Sequence, residues 1–149
     1  MNDTVVIDFG MGNLRSVAKA LEHVGARVRV SADPAVIRNA ARVVFPGQGA
    51  IGACVVRLAD SGLADAVREA ALTKPFLGIC LGLQALLEFS EEDGGVPGLG
   101  LVAGRVQRFA PRLEDAQGAP FQVPHIGWHV VHQQRAHPLW PGPHLDTRY

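Results

Sequence analysis

Cys80 lies in the run Phe76-Leu77-Gly78-Ile79-Cys80-Leu81-Gly82-Leu83-Gln84. This run reads as a short buried strand, a sharp turn and the first turn of a helix. Glycines two residues to either side of the Cys let the backbone pass tightly from strand to helix. The pattern is the thiol form of the Gly-x-Ser-x-Gly nucleophile elbow. Such a turn lifts a side chain above the carboxyl edge of a parallel sheet. It also sets the sulfur at a helix N-terminus, where the dipole favours negative charge. The chemistry that fits is attack of sulfur on a carbonyl carbon. Gln84 falls one helical turn beyond Cys80 on the same face, where its amide can meet a substrate held over the sulfur. The competing account of these residues is a structural cysteine buried after a strand.

An elbow needs a sheet beneath it, and the preceding residues supply the pattern of one. Thr4 to Asp8 is a β-branched apolar run. Leu14, Val17, Ala18, Leu21 and Val24 follow with helical spacing, and Gly25 is a stop signal. Arg27 to Val30 alternates as a strand. Asp33-Pro34 opens a short helical turn with Asp as cap and Pro at the first position. Arg42 to Phe45 is a buried strand ended by Pro46-Gly47-Gln48-Gly49. Helical stretches cover Ile51 to Leu58 and Leu63 to Ala71, and Pro75 leads into the strand before Cys80. The elbow helix is expected from Leu81 to about Glu88. Strands alternating with helices predict an α/β fold, a parallel sheet covered on both faces. The loops after Phe45 and Ile79 both lie at strand carboxyl ends, where open α/β sheets place their sites. Past Ser90 the pattern changes. Glu91 to Gly98 reads as a polar loop, and Leu101 to Phe109 and Gln122 to Val131 as strands of a hairpin or small mixed sheet.

At 149 residues, 48% of them apolar and 19% charged, the chain is long enough for one domain with a real core. Its formal net charge is zero, which argues against nucleic acid or an anionic membrane as the main partner. Two cysteines make no disulfide framework, so a reducing, cytoplasmic setting is expected. No apolar stretch approaches the roughly 20 residues that span a bilayer. Gly10-Met11-Gly12-Asn13-Leu14-Arg15 looks like a dinucleotide fingerprint, but Arg15 stands where the third glycine belongs. No nucleotide, other cofactor or metal is expected. Cys54 shares an apolar helix face with Ile51, Val55 and Leu58 and reads as core.

Taken together, five segments carry a resemblance to the class I glutamine amidotransferases, in their order along the chain. They are Asp8-Phe9-Gly10-Met11-Gly12-Asn13-Leu14, Phe45-Pro46-Gly47-Gln48-Gly49-Ala50, Gly78 to Gln84, Ser90-Glu91-Glu92 and Pro124-His125-Ile126-Gly127-Trp128. The sequence is most similar to the branch that serves imidazole glycerol phosphate synthase in histidine biosynthesis. The resemblance implies a flavodoxin-like sheet, mostly parallel, with helices on both faces and a small mixed sheet after Leu101. It implies that Cys80 attacks the side-chain amide of glutamine and that water hydrolyses the resulting thioester. The ammonia passes to a (βα)8-barrel cyclase subunit in a heterodimer. By the same resemblance Gln84 and Glu92 hold the amino acid end of glutamine, and Gly49 lines its site. Asn13, His125, Gly127 and Trp128 face the cyclase. His129 departs from the family, which usually has Asn there. Acyl transfer also needs donors aimed at the developing oxyanion. The N–H of Leu81 is one, and the Gly47-Gln48 segment supplies the other. A peptide between glycines can rotate, and losing one donor costs about 3 to 4 kcal/mol of barrier.

The family completes a Cys-His-Glu triad with a His-Pro-Glu stretch, and this sequence contains none; His137-Pro138 is followed by Leu139. The expectation is therefore a single amidotransferase domain, 1–149, lacking the C-terminal part of the fold and without useful glutaminase activity alone. General acid-base help is worth roughly 10²- to 10⁴-fold. Two alternatives stand beside this reading. One is a non-catalytic relative that only binds the cyclase; the other is a different Cys-elbow α/β enzyme, such as an isomerase or a glyoxalase-like thiol protein.

Overall fold

Thr4, Val5, Val6 and Ile7 are all buried, as the β-branched run requires of a strand covered on both faces. In the computed structural model, which describes residues 3–114 together with Gly118 and Pro120, they form β1 (Thr4–Ile7). The elements that follow are α1 (Leu14–His23), β2 (Val28–Ser31), α2 (Pro34–Arg38), β3 (Arg42–Gly47), α3 (Ile51–Asp60) and α4 (Ala64–Thr73). Then come β4 (Phe76–Cys80), α5 (Leu81–Leu86), β5 (Leu87–Ser90), a single 3₁₀ turn (Glu92–Gly94), β6 (Val96–Pro97) and β7 (Val102–Val106). The chain divides into two units, 1–108 and 109–149; all of these elements lie in the first. In the second, the described residues show one antiparallel bridge, Glu114 to Pro120. The strand expected at Gln122 to Val131 lies outside the described residues.

β1 to β4 form a parallel sheet in the order β2-β1-β3-β4. Right-handed crossovers then place α1 on one face and the helices after β2 on the other. The second face holds the core. Val5 and Ile7 of β1 and Val43 and Phe45 of β3 meet Ile37, Ile51, Cys54, Leu58, Val67, Leu81 and Ala85 from α2 to α5. Phe45 is its centre, with edge-on contacts to Phe9 at 5.2 Å and Phe76 at 6.3 Å between ring centroids. On the α1 face, Val6 and Val44 are buried, whereas Leu77 and Ile79 of β4 remain 47% and 37% exposed.

Several boundaries differ from expectation, among them β7, which ends at Val106 rather than Phe109. β3 runs through Pro46 to Gly47 instead of stopping at Phe45. Its ladder with β1 ends at Val6 and Val44, and beyond that it pairs only with β4, which needs an N–H from alternate residues alone. The elbow helix stops at Leu86, and Leu87–Ser90 is a strand. The carbonyls of Ala85, Leu86 and Leu87, which would continue the helix, instead accept from the N–H groups of Leu99, Leu101 and Gly100. The polar loop of residues 91–98 contains the 3₁₀ turn and β6. The small sheet is mixed, as expected, but its order is β6-β5-β7, with β5 antiparallel to β6 and parallel to β7.

Candidate active site

The turn at Cys80 is left-handed at the cysteine itself, with φ 55° and ψ −113°. Among the described residues only Cys80 and Asp93 combine a side chain with positive φ. Such a conformation costs on the order of 1 to 3 kcal/mol and persists only where its surroundings enforce it. The flanking glycines are the surroundings. Neither takes a left-handed φ; each is needed for clearance. A Cβ at Gly78 would lie 3.0 Å from the carbonyl oxygen of Gly82 and from Cα of Leu83. A Cβ at Gly82 would fall within the carbonyl oxygen of Phe45, on the neighbouring strand. The chain can therefore reverse from β4 into α5 while α5 lies directly on β3. The sulfur stays exposed at the top of the sheet.

The two glycine-bordered loops meet there. Gly47 is the register partner of Cys80 across β3 and β4. It is itself confined, since a Cβ would stand 3.0 Å from Cβ of Leu81 and 3.2 Å from the Phe9 ring. Gln48 and Gly49 continue from it, exposed, with Gly49 at φ 103°. Leu81 is the first residue of α5, so its N–H has no intrahelical acceptor. The Gly10-Met11-Gly12 loop packs behind this segment. A Cβ at Gly12 would sit 3.3 Å from Cα of Gly47, and one at Gly49 would sit 2.9 Å from the Met11 methyl carbon. Gly10 and Gly12 both take a left-handed φ, 80° and 107°, and Gly12 also has a close backbone neighbour. Asn13 caps α1, its Oδ1 accepting from the N–H of Ser16 at 3.2 Å.

Cys80 opens into a cleft of about 520 Å³, within the range of small-molecule sites. Gly49, Gln84 and Glu92 line it, as do Glu91, Asp93 and Arg108. The sequence patterns thus brought four of the expected site residues to one cavity. No local spacing connects Asp93 and Arg108 to Cys80; the turn after β5 and the segment after β7 carry them there. The acidic pair is not simply solvated either. Glu91 accepts from the N–H of Arg108 at 3.0 Å, and Glu92 from the N–H of Ile51 at 3.1 Å. His125, Gly127, Trp128 and His129 lie outside the described residues. The one described histidine, His23, is exposed on α1 and does not line the cleft.

The second cysteine has the opposite environment. Cys54 is fully buried on α3, and burial pushes its thiol up to about 11. It is core, as its helix face suggested. Among the described residues no helix is long and apolar enough to cross a membrane.

Comparison with known proteins agrees with this geometry. The family model for glutamine amidotransferase class-I matches residues 5–137. The imidazole glycerol phosphate synthase subunit HisH of Aromatoleum aromaticum is 56% identical over 145 residues, covering 95% of this chain and 68% of that protein. HisH of Nitrosospira multiformis is 54% identical, over 100% of this chain and 71% of its own. HisH of Nitrosococcus oceani is 58% identical, over 94% and 66%. With its elbow cysteine, its glycine-bordered partner strand and these relatives, the chain belongs to the class-I glutamine amidotransferase family.

Proposed function

We propose that the chain is the glutamine amidotransferase component of an imidazole glycerol phosphate synthase, with Cys80 as the nucleophile that releases ammonia from glutamine. The observation that carries this is the strained cysteine at the mouth of a cleft shared with Gly49, Gln84 and Glu92. Sulfur attacks the amide carbon, and the carbonyl oxygen becomes an oxyanion between the N–H of Leu81 and a peptide of the Gly47-Gln48-Gly49 segment. The C–N bond then breaks as the nitrogen takes up a proton and leaves as ammonia. Water attacks the thioester, giving glutamate and the free thiol. Gln84 and the second carboxylate oxygen of Glu92 orient the amino acid end of the substrate. Ammonia passes to a (βα)8-barrel cyclase in a cytoplasmic heterodimer, and the family resemblance assigns Asn13, His125, Gly127 and Trp128 to contacts with it.

Both proton transfers need an acid and a base, and the 149 residues hold no His-Pro-Glu. These residues by themselves are proposed to have no useful glutaminase activity. Labelling tests the core of the reading. A chloroketone analogue of glutamine should attach covalently to Cys80, glutamine should slow it, and Cys80→Ser should abolish it. Labelling that ignores glutamine would refute the assignment and favour a different elbow enzyme. Steady Cys80-dependent ammonia release by the purified chain would overturn the claim that it does not turn over.

A further inference from the structure

We propose that Asp93 is a positioning residue for this site: clamped to the first turn of α3, its carboxylate holds the Gly47–Ala50 segment in place beside Cys80. The inference rests on Cys80 being the nucleophile and on that segment being its oxyanion side.

α3 begins without a capping side chain of its own, because Ala50 occupies the N-cap. Its first N–H groups are satisfied from 41 residues away. Ile51 donates to Oε2 of Glu92, and Gly52 donates to Oδ2 of Asp93 at 3.2 Å. Carboxylates at these N–H groups also complement the helix dipole. The fit is close, since a Cβ at Gly52 would stand 2.9 Å from Oδ2 of Asp93. Asp93 holds this position at φ 54°, ψ 28°, where glycine would be free of strain. Asp is among the few residues besides Gly that tolerate this conformation, so the backbone and the carboxylate contact with Gly52 are compatible here.

The consequence for the cleft follows from chain connectivity. Gly49 lines the cleft and lies two residues before Ile51; Gly47, two residues earlier, is in register with Cys80. A shift of the α3 start is passed directly to the peptides that face the sulfur. Glu92 shares the clamp but is also assigned to the substrate. Asp93 acts through Gly52 and needs no contact with glutamine. The polar turn after β5 therefore ties the substrate side of the cleft to its oxyanion side.

Asp93→Gly tests this without adding strain, because it removes the carboxylate and relaxes the backbone. Amide hydrogen exchange across residues 49–54 should quicken by about fivefold or more. Saturable labelling of Cys80 by the glutamine chloroketone should slow by about tenfold, while iodoacetamide, which needs no positioning, reacts within about twofold of wild type. Asp93→Asn, whose side-chain carbonyl still accepts from Gly52, should stay near wild type in all three. Unchanged exchange over 49–54 in Asp93→Gly overturns the clamp. Equal slowing by both electrophiles, or failure of Asp93→Asn to rescue, overturns the positioning role. If wild-type labelling ignores glutamine, the functional reading fails, and the exchange experiment still decides the clamp.

Discussion

Replacing Gly82 with Ala sets two physical rules against each other. Gly82 sits inside α5 without a left-handed φ, so helix propensity alone favours Ala by about 1 kcal/mol. The tertiary structure predicts the opposite. The new methyl would overlap the carbonyl of Phe45, and that obstacle is backbone of a central strand, which cannot rotate aside. Restoring van der Waals contact requires α5 and β3 to part by on the order of an ångström. That separation loosens Leu81 and Ala85 against Phe45 and its edge-on contacts with Phe9 and Phe76. Overpacking costs about 1 to 3 kcal/mol, and a rigid obstacle puts this site at the upper end. Less the propensity gain, the net loss is about 2 kcal/mol. Urea unfolding followed by circular dichroism measures it, as a fall in midpoint of about 1 M for a typical small-domain slope. Gly25→Ala is the control: none of the described residues lies within 4 Å of an added Cβ, but φ is 85°, so it should lose only about 1 kcal/mol, from strain alone. A Gly82→Ala midpoint equal to or above wild type would refute the claim that contact with Phe45 governs this position.

The remaining predictions concern the cysteines. Burial raises the Cys54 thiol from 9.0 to about 11 in the folded state, so the folded state holds its proton longer than the unfolded one. Its contribution is full below pH 9 and is lost as pH rises towards 11, up to about 3 kcal/mol. The stability difference between wild type and Cys54→Ala, measured by urea from pH 8 to 11, should fall over that window; a flat difference contradicts the burial argument. Cys80→Gly removes the proposed nucleophile and also its left-handed strain, so it should raise stability by about 1 kcal/mol while abolishing labelling. A loss of stability would mean that the sulfur makes favourable contacts of its own.

Much of the layout is readable from local chemistry. The β-branched run at Thr4–Ile7, the Asp33-Pro34 cap and the helical spacing of Leu14 to Leu21 each specify their element through nearest neighbours. Asp33 Oδ1 indeed accepts from the N–H of Ala35 at 2.8 Å, an interaction two residues long. The elbow was legible for the same reason, because strand, turn and helix are contiguous at Cys80. The end of α5 was not. Leu-Leu-Glu has good helical propensity; Leu99 to Leu101 take up the carbonyls of residues 85–87 that would continue the helix, and pairing with β6 and β7 makes the stretch a strand.

The amino-acid order alone determined which atom is proposed to attack: the sulfur of a cysteine between two glycines, after an apolar strand and one turn before Gln84. What faces that atom was decided by folding at long range. Parallel pairing set Gly47 beside Cys80, and the second sheet brought Glu92 and Asp93 back to the start of α3. Backbone turns are governed by residues in direct sequence contact. A cleft is governed by which distant segments bury their apolar faces together, and that is a property of the packed chain.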